Sequence, residues 1–325
     1  MSDLPGALRG AIEQMLEGVP RKGLVARARA TSEAYRAGKP SSGVIREADD
    51  ALAYAVTRLP ATYAACLAAF GEAARMAPGF RPASVLDAGA GAGAASWAAL
   101  ETWRGIGAVT WLDASPPFLT LAARLAADGP AALKDAAVQR GDLTSAGPWP
   151  KAELVVASYA LAEIEVERQA GVVQTLWEAC EGVLALVEPG TPAGYARILA
   201  ARTSLMAAGA YVLAPCPHQD ACPLMGSDWC HFSVRLSRSR DHRLAKGAEV
   251  PFEDERFAYL VVTRPQVAAR PPRPRILAPP RTGKPGIDLK LCNPAGRLEP
   301  RVVSRREKAL YAVARRLGWG DVFDG

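Results

Sequence analysis

Val85-Leu86-Asp87-Ala88-Gly89-Ala90-Gly91-Ala92-Gly93 is the stretch that decides the fold. A short apolar run enters a turn carrying three glycines, and a helix-like segment, residues 94–101, opens directly behind it. Glycine suits such a turn because the backbone must reverse sharply and approach a ligand where a Cβ would collide. The same residues hold the spacing Gly89-x-Gly91-x-x-Ala94, so a nicotinamide or flavin dinucleotide competes for this site.

Three carboxylates weigh against the dinucleotide. Asp87 ends the first strand at the turn, where it would repel a pyrophosphate facing the helix N-terminus but would suit a sulfonium ligand with an α-ammonium group. Asp113 ends the next apolar run, 24 residues beyond Gly89, and is placed to accept from two ribose hydroxyls. Asp142, within Gln139-Arg140-Gly141-Asp142-Leu143, ends the third and is placed to receive an adenine amino group. Each acid alone reads equally well as a helix N-cap; their joint placement at successive strand ends favours S-adenosylmethionine. A glycine turn, a ribose acid and an adenine acid in that order resemble the class I methyltransferases. The resemblance implies an α/β, Rossmann-like, mostly parallel doubly wound sheet, with the cofactor held around Asp87, Gly89, Gly91, Gly93, Asp113, Asp142 and Ser158.

Working outward, residues 1–80 read as an N-terminal helical extension, with apolar side chains at three- and four-residue steps in 8–19 and 48–76 and Pro60 starting or kinking a helix. Short apolar runs at 83–89, 108–114, 136–142, 152–158 and 182–190 alternate with helix-like segments, which predicts βαβ units and a cofactor-binding domain over 81–264. Residues 229–236 and 257–264 supply further, partly antiparallel strands. Residues 265–286 are proline-rich with few acids and read as an extended linker. Residues 287–325 form a small basic C-terminal module ending in a helix over 304–318.

The fourth strand should end facing the transferred methyl group, at Ala157-Ser158-Tyr159-Ala160-Leu161-Ala162-Glu163. The Asn/Asp-Pro-Pro-Tyr/Phe clamp of amino methylation and the Pro-Cys nucleophile of cytosine carbon-5 methylation are both missing from this strand end. Tyr159 is placed to stack on a base and Glu163 to act as a base, although a solvated helix residue is the plainer reading of Glu163. Donor binding is better supported than methyl transfer.

Cys66 and Cys180 lie in helical stretches and read as small buried apolar residues. Cys216, Cys222 and Cys230 form C-x5-C-x7-C, and Cys292 follows 62 residues later. Zinc prefers shorter knuckles than these. Four thiolates at irregular spacing, two of them followed by proline, fit a cubane 4Fe–4S cluster better. His218 and His231 keep zinc open as the alternative, and a site without metal remains open as well. A shared cluster would staple the terminal module to the main domain.

Charge is unevenly placed. Fourteen Lys and Arg lie between Arg264 and Arg316 against Asp288, Glu299 and Glu307, a local balance of +11 in a chain of +6. The block points to a polyanion such as RNA, with Arg301, Arg305 and Arg306 as candidate contacts; a solvated surface is the plainer alternative. No run of 18 apolar residues exists to span a membrane. The N-terminus carries neither a secretory signal nor an Arg-rich transit peptide, so the expected location is the cytoplasm of a bacterium, and a monomer is expected.

Taken together, Ala53-Tyr54-Ala55-Val56-Thr57-Arg58-Leu59-Pro60-Ala61-Thr62-Tyr63, the glycine turn, residues 156–163, Leu186-Val187-Glu188-Pro189-Gly190-Thr191-Pro192, the cysteine cluster, and Cys292 with Trp319-Gly320-Asp321 resemble one family. It comprises the methyltransferase-like proteins associated with the small subunit of the mitochondrial ribosome and their bacterial relatives. The four-cysteine spacing is its most specific element. The resemblance implies a factor that binds S-adenosylmethionine and a 4Fe–4S cluster and docks on small-subunit ribosomal RNA or its precursor particle. Activity as an RNA methyltransferase, and a redox- or iron-responsive regulator of translation, stay open as alternatives.

Overall fold

The structure, a computed structural model, describes residues 2–36, 43–145 and 147–324. The chain begins with α1 (Gly6–Met15), α2 (Arg21–Arg36), α3 (Ala48–Thr57) and α4 (Leu59–Met76). Pro60 lies in the first turn of α4, where its missing N–H would have had no helical partner, so α3 and α4 break at Arg58. The alternating part follows as β1 (Ser84–Ala88), α5 (Ala94–Thr102), β2 (Ala108–Asp113), α6 (Pro116–Ala126), α7 (Ala131–Lys134), β3 (Ala137–Arg140), β4 (Ala152–Ser158), α8 (Val166–Ala179) and β5 (Cys180–Pro189). Then come α9 (Pro192–Ala207), β6 (Tyr211–Ala214), β7 (Phe232–Ser237), α10 (Arg240–Lys246) and β8 (Phe252–Thr263).

These strands form one sheet in the order β3-β2-β1-β4-β5-β8-β6, with β7 also paired to β8. The first five are mutually parallel, and β8 is antiparallel to both β5 and β6. This is the Rossmann-like methyltransferase fold, with an antiparallel strand inserted near one edge. Helices cover both faces, which is why the central strands read as unbroken apolar runs: Leu154–Val156 in β4 and Leu184–Val187 in β5 are all 0% exposed. Side chains of α1, α3 and α4 share one core with Val85, Trp111 and Tyr259, so the N-terminal helices are a layer of this domain. The opposite face is closed by α8 and α9 through Leu176, Trp177, Ile198 and Leu205.

The C-terminal part departs from the expected linker and helix. Four short strands, β9 (Arg275–Ile276), β10 (Arg281–Thr282), β11 (Gly286–Cys292) and β12 (Leu298–Ser304), make a separate antiparallel sheet, followed by α11 (Lys308–Ala314). The proline-rich stretch is therefore not an unpacked arm, because Arg275 and Ile276 pair with β11 and are both buried. Its prolines flank β9 and β10, leaving the paired residues free to donate. The module also has a core of its own, with Ile276, Ile287, Leu289, Leu291, Val303, Ala314 and Phe323 buried together. Gly286 is required there: a Cβ would stand 2.1 Å from the Val303 carbonyl oxygen across the strand pair. No helix among the described residues is long and apolar enough to cross a membrane.

Candidate functional site

Two sites emerge, one at the strand ends and one at the cysteines. At the first, a cleft is lined by Gly89, Gly91, Asp113, Asp142, Ser158, Tyr159 and Glu163, together with Tyr54, Phe118 and Arg168. The sheet brings these together because β1, β2, β3 and β4 are neighbours and parallel, so their C-terminal ends open onto one edge. Gly89 has φ +73°, and a Cβ there would come 2.8 Å from the Ala160 Cβ, so both conformation and space demand glycine. The Gly91 N–H donates to Asp113 Oδ2 at 2.8 Å and the Ser115 N–H to Oδ1 at 2.7 Å. Burial pushes the Asp113 carboxyl above its usual value, against the pull of those backbone donors. Asp142 is exposed, and its Oδ1 accepts from the Thr144 N–H and hydroxyl, which hold the carboxyl below its usual value.

Asp87 and Gly93 stand behind the cleft and do not line it. Asp87 is 0% exposed; its Oδ2 accepts from the Ser96 N–H at 3.0 Å and Oγ at 2.7 Å, securing the first turn of α5. Burial raises this carboxyl to about 7 despite the Ser96 bonds. Gly93, at φ +78°, is the N-cap of α5. Both shape the turn from beneath.

Tyr159 carries the only positive φ of a non-glycine among the described residues, +58°. Its hydroxyl donates to Glu255 Oε1 at 2.8 Å, and Arg58 Nη2 lies 3.7 Å from that same oxygen. A strained backbone persists where the surroundings enforce it: the Tyr159 N–H donates to the Val187 carbonyl at 2.6 Å while the hydroxyl is held by Glu255 on β8. The hydroxyl is thus committed to the protein and turned toward β8. Glu163 lies exposed at the cleft rim, in a 3-10 turn spanning Leu161–Glu163. Neither Glu255 nor Arg58 was singled out from the sequence; Glu255 stands among the charged residues 253–256 at the start of β8, where nothing in the pattern marks it.

The second site gathers Cys216, Cys222, Cys230 and Cys292 around one cavity, with Tyr195, Ile198, Leu199 and Arg202 of α9 in its wall. Cys66 and Cys180 are buried elsewhere, in α4 and at the start of β5. Among the described residues none of the six cysteines is paired in a disulfide. Burial raises the Cys216 thiol, pushes Cys230 well up and carries Cys292 to about 12, with neighbouring sulfurs adding to all three. Arg275 draws all three down, and Arg202 does so for Cys216 and Cys292. Among the described residues, no three His, Cys, Asp or Glu side chains close to the geometry of a single metal ion. His218 lies in the cavity wall with Nε2 buried and without a partner, whereas His231 stacks on Trp229 at 5.0 Å.

The basic residues are spread over the C-terminal module. Arg305 and Arg306 are exposed after β12, whereas Arg301 is half-buried and donates Nη2 to Glu307.

Residues 48–324 match the family described as mitochondrial small ribosomal subunit Rsm22. The chain belongs to this family. A human relative of this Rsm22-family chain, "Ribosome assembly protein METTL17, mitochondrial", is 29% identical over 288 residues, covering 83% of the chain and 62% of the human protein. The fission yeast "Rsm22-cox11 tandem protein 2, mitochondrial" is 27% identical over 218 residues, 52% of the chain and 29% of that protein. The chain thus spans less than two thirds of either relative. Solved structures that resemble it include magnesium protoporphyrin IX methyltransferase of Synechocystis with bound S-adenosylmethionine, at 18% identity, TM-score 0.34 and coverage of 55% of this chain and 69% of the other. Precorrin-6y C5,15-methyltransferase of Geobacter metallireducens aligns at 13% identity, TM-score 0.39 and coverage of 61% and 86%.

Proposed function

We propose that this Rsm22-family chain is an assembly factor of the small ribosomal subunit that docks on its RNA, binds S-adenosylmethionine at the strand ends and carries a 4Fe–4S cluster on Cys216, Cys222, Cys230 and Cys292. Family membership supports the ribosomal half, since the human relative is described as a ribosome assembly protein. The cleft supports the cofactor: Gly89 and Gly91 offer close backbone approach, and Asp113, Asp142 and Ser158 line it, where Asp113 would accept from the ribose hydroxyls. Asp87 and Gly93 would act indirectly, by holding the turn.

The observation that supports the metal assignment is the shared cavity, in which four soft sulfur donors meet the buried Arg202, with the buried guanidinium of Arg275 near enough to act on the thiols. Thiolates repel one another and are costly to bury, so a thiophilic cationic core together with buried arginines fits this donor set. A cluster there would supply binding free energy that ties β11 to the loop before β7. Methyl transfer is not part of the proposal, because the Tyr159 hydroxyl is held by Glu255 and no catalytic clamp lies at this strand end.

Gradient sedimentation of cell lysate tests the ribosomal role, the expected outcome being comigration with small-subunit precursors. Absence from those fractions overturns it. Oxygen-free purification followed by iron, sulfide and zinc analysis tests the cluster, and stoichiometric zinc without sulfide rejects it. Labelled donor incubated with ribosomal RNA should leave the RNA unlabelled.

A further inference from the structure

The wall that α9 presents to the four cysteines is polar in two places. Tyr195 places its hydroxyl 3.2 Å from Cys222 Sγ. About two turns further along the same face of α9, Arg202 is 4% exposed and donates Nη2 to the Asp220 carbonyl at 2.6 Å and the His218 carbonyl at 3.2 Å. Both carbonyls belong to the loop between Cys216 and Cys222. The Arg202 Nε is buried without a hydrogen-bond partner, and among the described residues Arg202 forms no ion pair with a carboxylate. Arg275 differs: it pairs with Glu72 at 2.6 Å, so its charge is already offset inside the protein.

A buried guanidinium without a carboxylate is costly unless an anion compensates it. Among the described residues the cavity lining holds no carboxylate, and the anions it can offer Arg202 are cysteine thiolates. When a cysteine sulfur is bound to metal it carries no proton, so the Tyr195–Cys222 contact then has one possible direction, from phenol to sulfur.

We propose that Tyr195 and Arg202 are positioning residues of the four-thiolate site: Tyr195 donates a hydrogen bond to the Cys222 sulfur, and Arg202 provides the balancing charge while bracing the Cys216–Cys222 loop. The inference rests on the cluster reading and adds to it the side of the cavity that sets the cluster's charge preference. Hydrogen bonds to cluster sulfurs and nearby positive charge stabilise the more reduced, more negative state and raise the reduction potential. Neither residue ligates the metal; each acts through a ligand.

The experiment is a redox titration of the full chain, purified without oxygen, as parent, Tyr195→Phe, Arg202→Lys and Arg202→Met, with iron and sulfide counted in each. Tyr195→Phe should keep iron and sulfide at parental content and move the midpoint potential to a more negative value. Arg202→Met should move it further in the same direction or lose the cluster faster in air, and Arg202→Lys should restore part of the shift by keeping the charge. A merely structural contact would leave the potential where it was. If the parent carries iron and sulfide and Tyr195→Phe has an unchanged potential, the inference fails while the cluster reading stands. If the parent carries no iron and sulfide, the cluster reading itself fails and the inference goes with it.

Discussion

Arg275 Nη1 donates to Glu72 Oε2 at 2.6 Å, joining β9 to α4 across 203 residues of chain. The same guanidinium donates to the Gly320 carbonyl at 2.7 Å and, through Nε, to the Pro215 carbonyl at 2.9 Å, one residue before Cys216. The C-terminal module is therefore fastened to the main domain by a charge pair that does not involve the cysteines.

Removing Glu72 would leave Arg275 buried and uncompensated. Glu72→Ala should destabilise the chain by about 3 kcal/mol, the lower end for breaking a buried pair, because two carbonyls still accept from Arg275. Urea denaturation at neutral pH measures this, and a loss below about 0.5 kcal/mol would place the pair among exposed bridges. Burial raises the Glu72 carboxyl, but the Arg75 hydrogen bond and the Arg275 charge outweigh burial and leave it below its usual value. The pair's contribution is accordingly present above the unfolded carboxyl value and fades as pH falls through the lower folded value. Stability measured between neutral pH and pH 3 should thus drop less steeply in Glu72→Ala than in the parent.

Asp87 predicts the opposite slope. Its carboxyl is raised to about 7 by burial, so between the ordinary Asp value and 7 the folded chain holds a proton that the unfolded chain has released. Stability should fall as pH rises through that window, by up to about 1.4 kcal/mol per pH unit for one proton. Asp87→Asn keeps an acceptor for Ser96 and should flatten that portion of the profile, so the variant gains on the parent from pH 5 to pH 8. Parallel profiles for the two proteins would show that Asp87 is ionised throughout. Donor affinity should change little in Asp87→Asn, because the side chain lies behind the turn and not in the cleft.

Asp113 is the residue on which cofactor affinity should depend. Asp113→Ala would lose the acceptor proposed for the ribose hydroxyls and should weaken S-adenosylmethionine binding by about 1–3 kcal/mol. It also frees the Gly91 N–H, so the turn loosens with it. Titration calorimetry gives the answer, with unchanged affinity removing Asp113 from that role. Gly89→Ala should abolish binding, since its Cβ would meet Ala160.

For RNA, the structure ranks the three candidate arginines. Arg305 and Arg306 are exposed, while Arg301 is engaged by Glu307. Arg305→Gln with Arg306→Gln should weaken small-subunit RNA binding and flatten the log–log salt dependence by roughly 0.7 per lost contact for single strands. Arg301→Gln should cost less. Filter-binding affinities across a salt series decide this; equal affinity at every salt concentration would reduce the basic block to a solvated surface.

How much of this was readable beforehand differs from one element to the next. The glycine turn and the five parallel strands were legible because burial on both faces leaves a continuous apolar run, and because a sharp turn at a ligand tolerates only glycine. The four cysteines were legible as a set, since thiols at irregular spacing have few other uses. The C-terminal sheet was not. β9 and β10 are two residues long, and proline and arginine dominate the sequence around them, so no period-two pattern accumulates. Residues 304–318, expected as one helix, are helical only over Lys308–Ala314, because Ser304 still belongs to β12.

What the amino-acid sequence determined by itself is what local physics can carry: the turn chemistry of residues 85–93, the strand end at Asp113, the thiol inventory and the basic excess; Asp142, expected to end the third strand, falls two residues past the end of β3. The tertiary structure alone decided which side chains share a space. It turned Asp87 inward to Ser96 and the Tyr159 hydroxyl toward Glu255, and it brought Tyr195, Arg202 and Arg275 to the cysteines. The reason is that a side chain's partner across 60 or 200 residues depends on sheet order and helix packing, and pattern along the chain reports only which face a residue occupies, not what waits there.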